Sequence, residues 1–181
     1  VFAVINNLVK DGLSTWMPSV LKEKYDLSES GSIALSLALP FLSVFGAFVA
    51  TKVNDKVKSF VFTAVIFFAV SALLMPIIIW GDFGGFVLPL CVFALIALLM
   101  TAVNSVVTTM APMYMRNFFF SGTLAGMLNG CCYLGSTISS YGLGKIADEF
   151  SWNAVFIIIF AFCIAAVALG GVYFIRKKIK K

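Results

Sequence analysis

VFAVINNLVKDGLSTWMPSVL, residues 1–21, is a mostly apolar stretch with Lys10 and Asp11 at its centre. About 20 consecutive apolar residues are enough for an α-helix to cross a bilayer. A lysine at the middle of such a helix costs ~2.5–3.5 kcal/mol on insertion scales, so it turns toward protein or a watery cavity and marks a functional position. Three uses fit a buried cation: binding an anion, moving a proton, or pairing with an acid. Asp11 is the obvious acid, yet adjacent helical side chains point ~100° apart. A direct Lys10–Asp11 bridge therefore does not follow from the sequence. Asn7 and Asp11, four residues apart, do share a face. Burial also disfavours the charged form of a carboxyl, which leaves Asp11 open to a second role as a proton carrier.

The rest of the chain agrees with a membrane setting. Of 181 residues, 61% are hydrophobic and 12% charged, and the mean hydropathy is +1.05. Soluble domains are roughly half apolar and about a quarter charged. The net charge of +5 lies in short loops and a tail beside apolar stretches, a pattern for lipid headgroups and not for nucleic acid. There is no histidine, so neither a zinc site nor a histidine proton relay is expected, and no metal or other cofactor is assigned. The four cysteines, Cys91, Cys131, Cys132 and Cys163, fall inside apolar stretches and read as small packing residues. With no histidine, metal set or acid pair, no catalytic residue is assigned and no enzyme is expected. The chain opens directly on an apolar stretch and reads as a piece of a longer protein.

Six spans can be placed, at residues 1–21, 31–51, 59–80, 86–109, 121–141 and 152–175. Charge or turn chemistry separates them: Lys22-Glu23-Lys24, Asn54-Asp55-Lys56, Gly81-Asp82-Phe83-Gly84-Gly85, Ala111-Pro112 and Asp148-Glu149. With alternating topology, one side holds Lys52, Lys56, Lys58, Arg116, Arg176, Lys177, Lys178, Lys180 and Lys181 against the single acid Asp55. The other side holds Lys22, Lys24 and Lys145 with Glu23, Asp26, Glu29, Asp82, Asp148 and Glu149. The basic side is expected in the cytoplasm. Both ends of the segment then lie inside, in a plasma (inner) membrane protein of several passes.

Polar residues are uneven among the spans. The first carries Asn6, Lys10 and Ser14 along one stripe. The fourth carries Thr101, Asn104, Ser105 and Thr108 on one face. The third and sixth are nearly plain and are expected to face lipid. The order polar, intermediate, plain thus occurs twice, as in a three-plus-three inverted repeat. In the fifth span Gly122, Gly126 and Gly130 recur every four residues, the spacing that lets helices approach closely. Gly135, Gly142 and Gly144 add to it, and Asn129, Tyr133 and Ser136 share a face.

Three stretches resemble the C-terminal half of a major facilitator superfamily transporter, and within it the organophosphate:phosphate antiporter family of glycerol-3-phosphate and hexose-phosphate transporters. The first is Lys10-Asp11-Gly12-Leu13-Ser14-Thr15-Trp16-Met17-Pro18 with Leu21-Lys22-Glu23, similar to the family's seventh span. The second is Asn54-Asp55-Lys56-Val57, similar to the superfamily's cytoplasmic loop signature. The third is Gly122-Thr123-Leu124-Ala125-Gly126, Tyr133-Leu134-Gly135 and Phe150-Ser151-Trp152, similar to the eleventh span and its exit. The chain departs from the family at Lys10, where Arg is usual, and at Thr51, where Gly is common. Lys offers a compact point charge in place of a planar bidentate fork.

The resemblance implies an all-α membrane protein of six transmembrane helices, half of a twelve-helix fold. Its expected partners are the bilayer, the N-terminal six-helix half and a small anionic substrate. It implies secondary active transport by alternating access, with exchange of an organic phosphate against phosphate. Lys10 would hold the anion, and Asn6, Asp11, Ser14, Asn104, Asn129 and Tyr133 would shape the site. Asp55 would latch onto the positive start of the fifth span at Ser121 and Gly122 when the inner gate shuts. Gly122, Gly126 and Gly130 would let that span rock. Two other readings stay open: ion-coupled symport of a carboxylate such as a sugar acid, and a transporter-like sensor that binds without carrying.

Overall fold

The first apolar stretch forms one helix, α1 (Phe2–Tyr25), which continues a turn past its expected end at residue 21. Lys22 and Lys24 occupy the last turn, where cations meet the negative end of the helix dipole. Asp26 stops the helix in the left-handed conformation, with φ 52°. The computed structural model describes residues 1–81, 85–115 and 120–179, and every regular element among them is a helix. Asp82, Phe83, Gly84, Arg116, Lys180 and Lys181 lie outside the described residues, as do the side chains of Lys177 and Lys178. The expected break at Gly81-Asp82-Phe83-Gly84-Gly85 and part of the expected cytoplasmic charge fall on these residues.

The second rod is broken. Ser28 caps its start, its hydroxyl accepting from the Gly31 N–H at 3.2 Å, and it runs as α2 (Glu29–Ser36), α3 (Ala38–Ser43) and α4 (Gly46–Val57). Pro40 lies in α3; its missing N–H and its ring favour such a break. The segment Asn54-Asp55-Lys56-Val57, expected as a loop, is the last turn of α4. It is polar because it has left the apolar layer, and polarity alone does not end a helix. Lys58 ends it, in the left-handed conformation, its N–H bonded to the Asn54 carbonyl at 2.7 Å.

α5 (Phe60–Trp80) follows the expected bounds, with Pro76 inside it. α6 (Val87–Ser105) runs through a π-helical turn, Val106–Met110, into α7 (Ala111–Tyr114). Ala111-Pro112 was expected to end this span and does not. The wider π turn accommodates a proline, which would clash with the carbonyl four residues back in a regular helix. α8 (Ser121–Ile138) likewise passes through a π turn, Ser139–Leu143, into α9 (Gly144–Glu149). α10 (Trp152–Ile179) closes the described chain.

Four of these stretches are long and apolar enough to cross a membrane: Glu29–Val57, Phe60–Trp80, Val87–Tyr114 and Trp152–Arg176. α1 and the α8–α9 rod have the length and are more polar. These two pack along each other. α6 is the most buried of the four apolar rods and Glu29–Val57 the least, at 56% and 17%. The most open rod is thus the second, not the plain third or sixth. Phe68, Phe93, Phe156, Met17, Met75 and Met100 fill the interior. Between helices in lipid such contacts act through close packing and not through the hydrophobic effect.

Candidate functional site

α1 and α8 meet at backbone distance. A Cβ on Gly135 would strike the Val4 carbonyl, and one on Gly12 would lie 2.6 Å from both Ser139 Oγ and Leu143 Cδ1. One on Gly144 would enter the Trp16 ring. Residue numbers rise together along both helices at these contacts, so the helices run parallel. The stripe expected to make such a contact does not: nothing lies within 4 Å of a Cβ built on Gly122, Gly126 or Gly130. Those three glycines share a helix with Gly135 but sit on its open side.

The close approach brings polar groups together. Lys10 Nζ lies 3.3 Å from Asp11 Oδ1, with side-chain exposures of 26% and 28%. The bridge forms despite the angle between neighbouring positions, because the long lysine stem can bend back. Asn7 Nδ2 donates to Asp11 Oδ2 at 3.4 Å, as the four-residue spacing predicts. From α8, the Ser136 hydroxyl donates to the same Asp11 oxygen. Asn7 Nδ2 also reaches Ser136 Oγ at 3.3 Å, and Asn6 Nδ2 donates to Asn7 Oδ1 at 3.2 Å. Asn6 is fully buried, and its Oδ1 has no partner among the described residues. Asn104 joins from α6, its Oδ1 accepting from the Cys132 thiol at 3.8 Å.

The structure therefore gathers Asn6, Lys10, Asp11 and Asn104 of the expected site, and adds Asn7 and Ser136. Ser14, Asn129 and Tyr133 are exposed and make no part of the network. Spacing placed Asn129, Tyr133 and Ser136 on one face; it carried no signal that only Ser136 would meet α1. On α6 and its π turn, Ser105 and Thr108 turn back to the carbonyls of Thr101 and Asn104, which leaves them little capacity for a ligand.

Asp55 lines a cavity of about 750 Å³ with Asn54, Lys58, Tyr114 and Tyr173. Among the described residues no hydrogen bond joins it to Ser121 or Gly122. At the opposite end, Lys24, Tyr25, Trp80, Phe86 and Asn153 line a cavity of about 580 Å³. Glu23 accepts from the Trp152 indole at 2.8 Å, and Lys24 donates to Asn153 at 2.6 Å. These bonds tie the end of α1 to α10. The cysteines are all free, with Cys132 and Cys163 buried. No protein-family model matches the chain, and no curated protein matches it in sequence.

Proposed function

We propose that the chain is half of a twelve-helix carrier in the plasma (inner) membrane, moving a small anionic metabolite by alternating access with Lys10 as its anion-binding group. The observation that carries this reading is the Lys10–Asp11 pair. The pair sits midway along α1, and the polar network around it joins α1, α6 and α8. Such a network is costly in lipid unless a ligand or an aqueous path uses it. Two triplets of helices in inverted order, with both ends of the segment in the cytoplasm, supply the rocking frame. The uncovered apolar face at Phe41, Phe45 and Phe48 gives the N-terminal half a surface to meet.

An organic phosphate exchanged for phosphate is the first substrate class. A carboxylate such as a sugar acid is the second, and one observation favours it: a carboxylate, Asp11, already occupies the contact with Lys10. Saturable exchange of labelled sn-glycerol 3-phosphate or gluconate across liposomes containing the intact protein tests the reading. Binding of either anion without flux would make the protein a sensor instead.

A further inference from the structure

We infer that Asp11 is the proton-coupling acid of this site: an arriving anion takes Lys10 from Asp11, and Asp11 leaves the pair by taking up one proton. The inference rests on Lys10 being the anion site. It is carried by how the two carboxylate oxygens are used. Oδ1 faces Lys10 at 3.3 Å. Oδ2 faces Asn7 and Ser136. Loss of Lys10 therefore strips one oxygen and leaves the other held.

Ser136 gives the acid two resting states. Its Oγ lies within hydrogen-bond distance of Asp11 Oδ2 and also of the Cys132 carbonyl, the latter at 3.2 Å. One hydroxyl hydrogen serves one acceptor at a time. With Asp11 ionised, Ser136 donates to it. With Asp11 protonated, Ser136 turns its hydrogen to the Cys132 carbonyl and accepts from the carboxyl. In both states Oδ2 stays hydrogen-bonded to Ser136, so the proton can come and go there without breaking the contact between α1 and α8.

Charge balance requires the proton. The empty site holds Lys10 and Asp11 and is neutral. An added monoanion would leave one unpaired negative charge at bilayer depth, which lipid disfavours. One proton, drawn from water on the side where the anion enters, restores neutrality; it departs when the anion leaves and Lys10 returns to Asp11. Among the described residues no other ion pair involves Lys10 or Asp11, and on α9, which meets α1 at Trp16, Lys145 pairs with Glu149 and Asp148 is exposed. α6, α8 and both π turns carry no Asp, Glu, Lys or Arg. The titratable group they turn toward the pair is the thiol of Cys132. From α2, Glu29 pairs with Lys22 at the far end of α1, and α10 brings the buried Cys163 thiol.

The test is anion binding by the intact protein from pH 5.5 to 8.5, with protons counted by calorimetry in two buffers of different ionisation enthalpy. The probes are sn-glycerol 3-phosphate and gluconate, the second of which does not titrate in this range. Wild type should take up about one proton more per anion than Asp11→Asn, and above the Asp11 transition its affinity should fall about tenfold per pH unit. Asp11→Asn should bind more tightly at pH 8 and lose that slope. Ser136→Ala removes the hydroxyl that serves both states of the acid, so its affinity profile against pH should be displaced from that of wild type. A wild-type slope and proton count in Asp11→Asn, with binding lost in Lys10→Gln, would overturn the inference and leave the anion site standing. If Asp11→Asn does not fold, an unshifted Ser136→Ala profile overturns it. Undiminished binding in Lys10→Gln, or none in wild type, overturns the anion site and the inference together.

Discussion

Gly135 of α8 faces the Val4 carbonyl of α1 with no room for a side chain between them. This contact, with Gly12 against Ser139, sets how near Ser136 comes to Asp11. Overpacking typically costs about 1–3 kcal/mol, and here the obstacle is backbone, which cannot rotate away. Gly135→Val should lower stability by at least that amount in detergent unfolding followed by tryptophan fluorescence. Gly126→Val, whose Cβ meets nothing within 4 Å, should stay within about 0.5 kcal/mol of wild type.

Those two glycines also mark the boundary of what the sequence could disclose. Apolar runs place helices well, because crossing lipid is a demand on composition and length. Hence α5 begins and ends within a residue of expectation. Helix ends are less legible: Asn54 to Val57 look like a loop and are helical, since water satisfies a polar last turn as readily as a loop. Neighbours are the least legible. Spacing fixes the angle of a residue about its own axis and does not name the helix it will meet. Gly122, Gly126 and Gly130 therefore read as an interface and face outward, while Gly135 and Ser139, at the same spacing, make the contact. The same blindness left Ser136 undistinguished from Asn129 and Tyr133. Lys10 and Asp11 were legible because charge in an apolar run stands out wherever it points.

Lys24 lies beyond the apolar stretch of α1, bonded to Asn153 and to the Ile78 carbonyl and 4.9 Å from the centre of the Phe156 ring. Burial pushes its pKa below 10.5, and burial pushes that of the adjacent Tyr25 above 10.0. Between the lowered Lys24 value and 10.5 the unfolded chain holds more protons, so this group's contribution to stability rises with pH. Between 10.0 and the raised Tyr25 value the folded chain holds more, so that contribution falls. Unfolding measured from pH 8 to 11 should show Lys24→Met losing the rise and Tyr25→Phe losing the fall.

Orientation can be read by labelling. In a background with the four native cysteines replaced, Lys56→Cys should react with a membrane-impermeant maleimide only from the cytoplasmic face. Glu149→Cys should react only from the opposite face. Both side chains are exposed, so access is decided by the membrane alone. Labelling of both from one face would contradict the alternating arrangement of helices.

Lys10 carries the central claim, and transport by its variants tests it most directly. Intact protein in liposomes should take up labelled sn-glycerol 3-phosphate or gluconate with saturation, and Lys10→Gln should reduce that uptake to the level of empty liposomes. Lys10→Arg, which keeps the charge, should retain part of it. Uptake in Lys10→Gln equal to that of wild type would contradict the account.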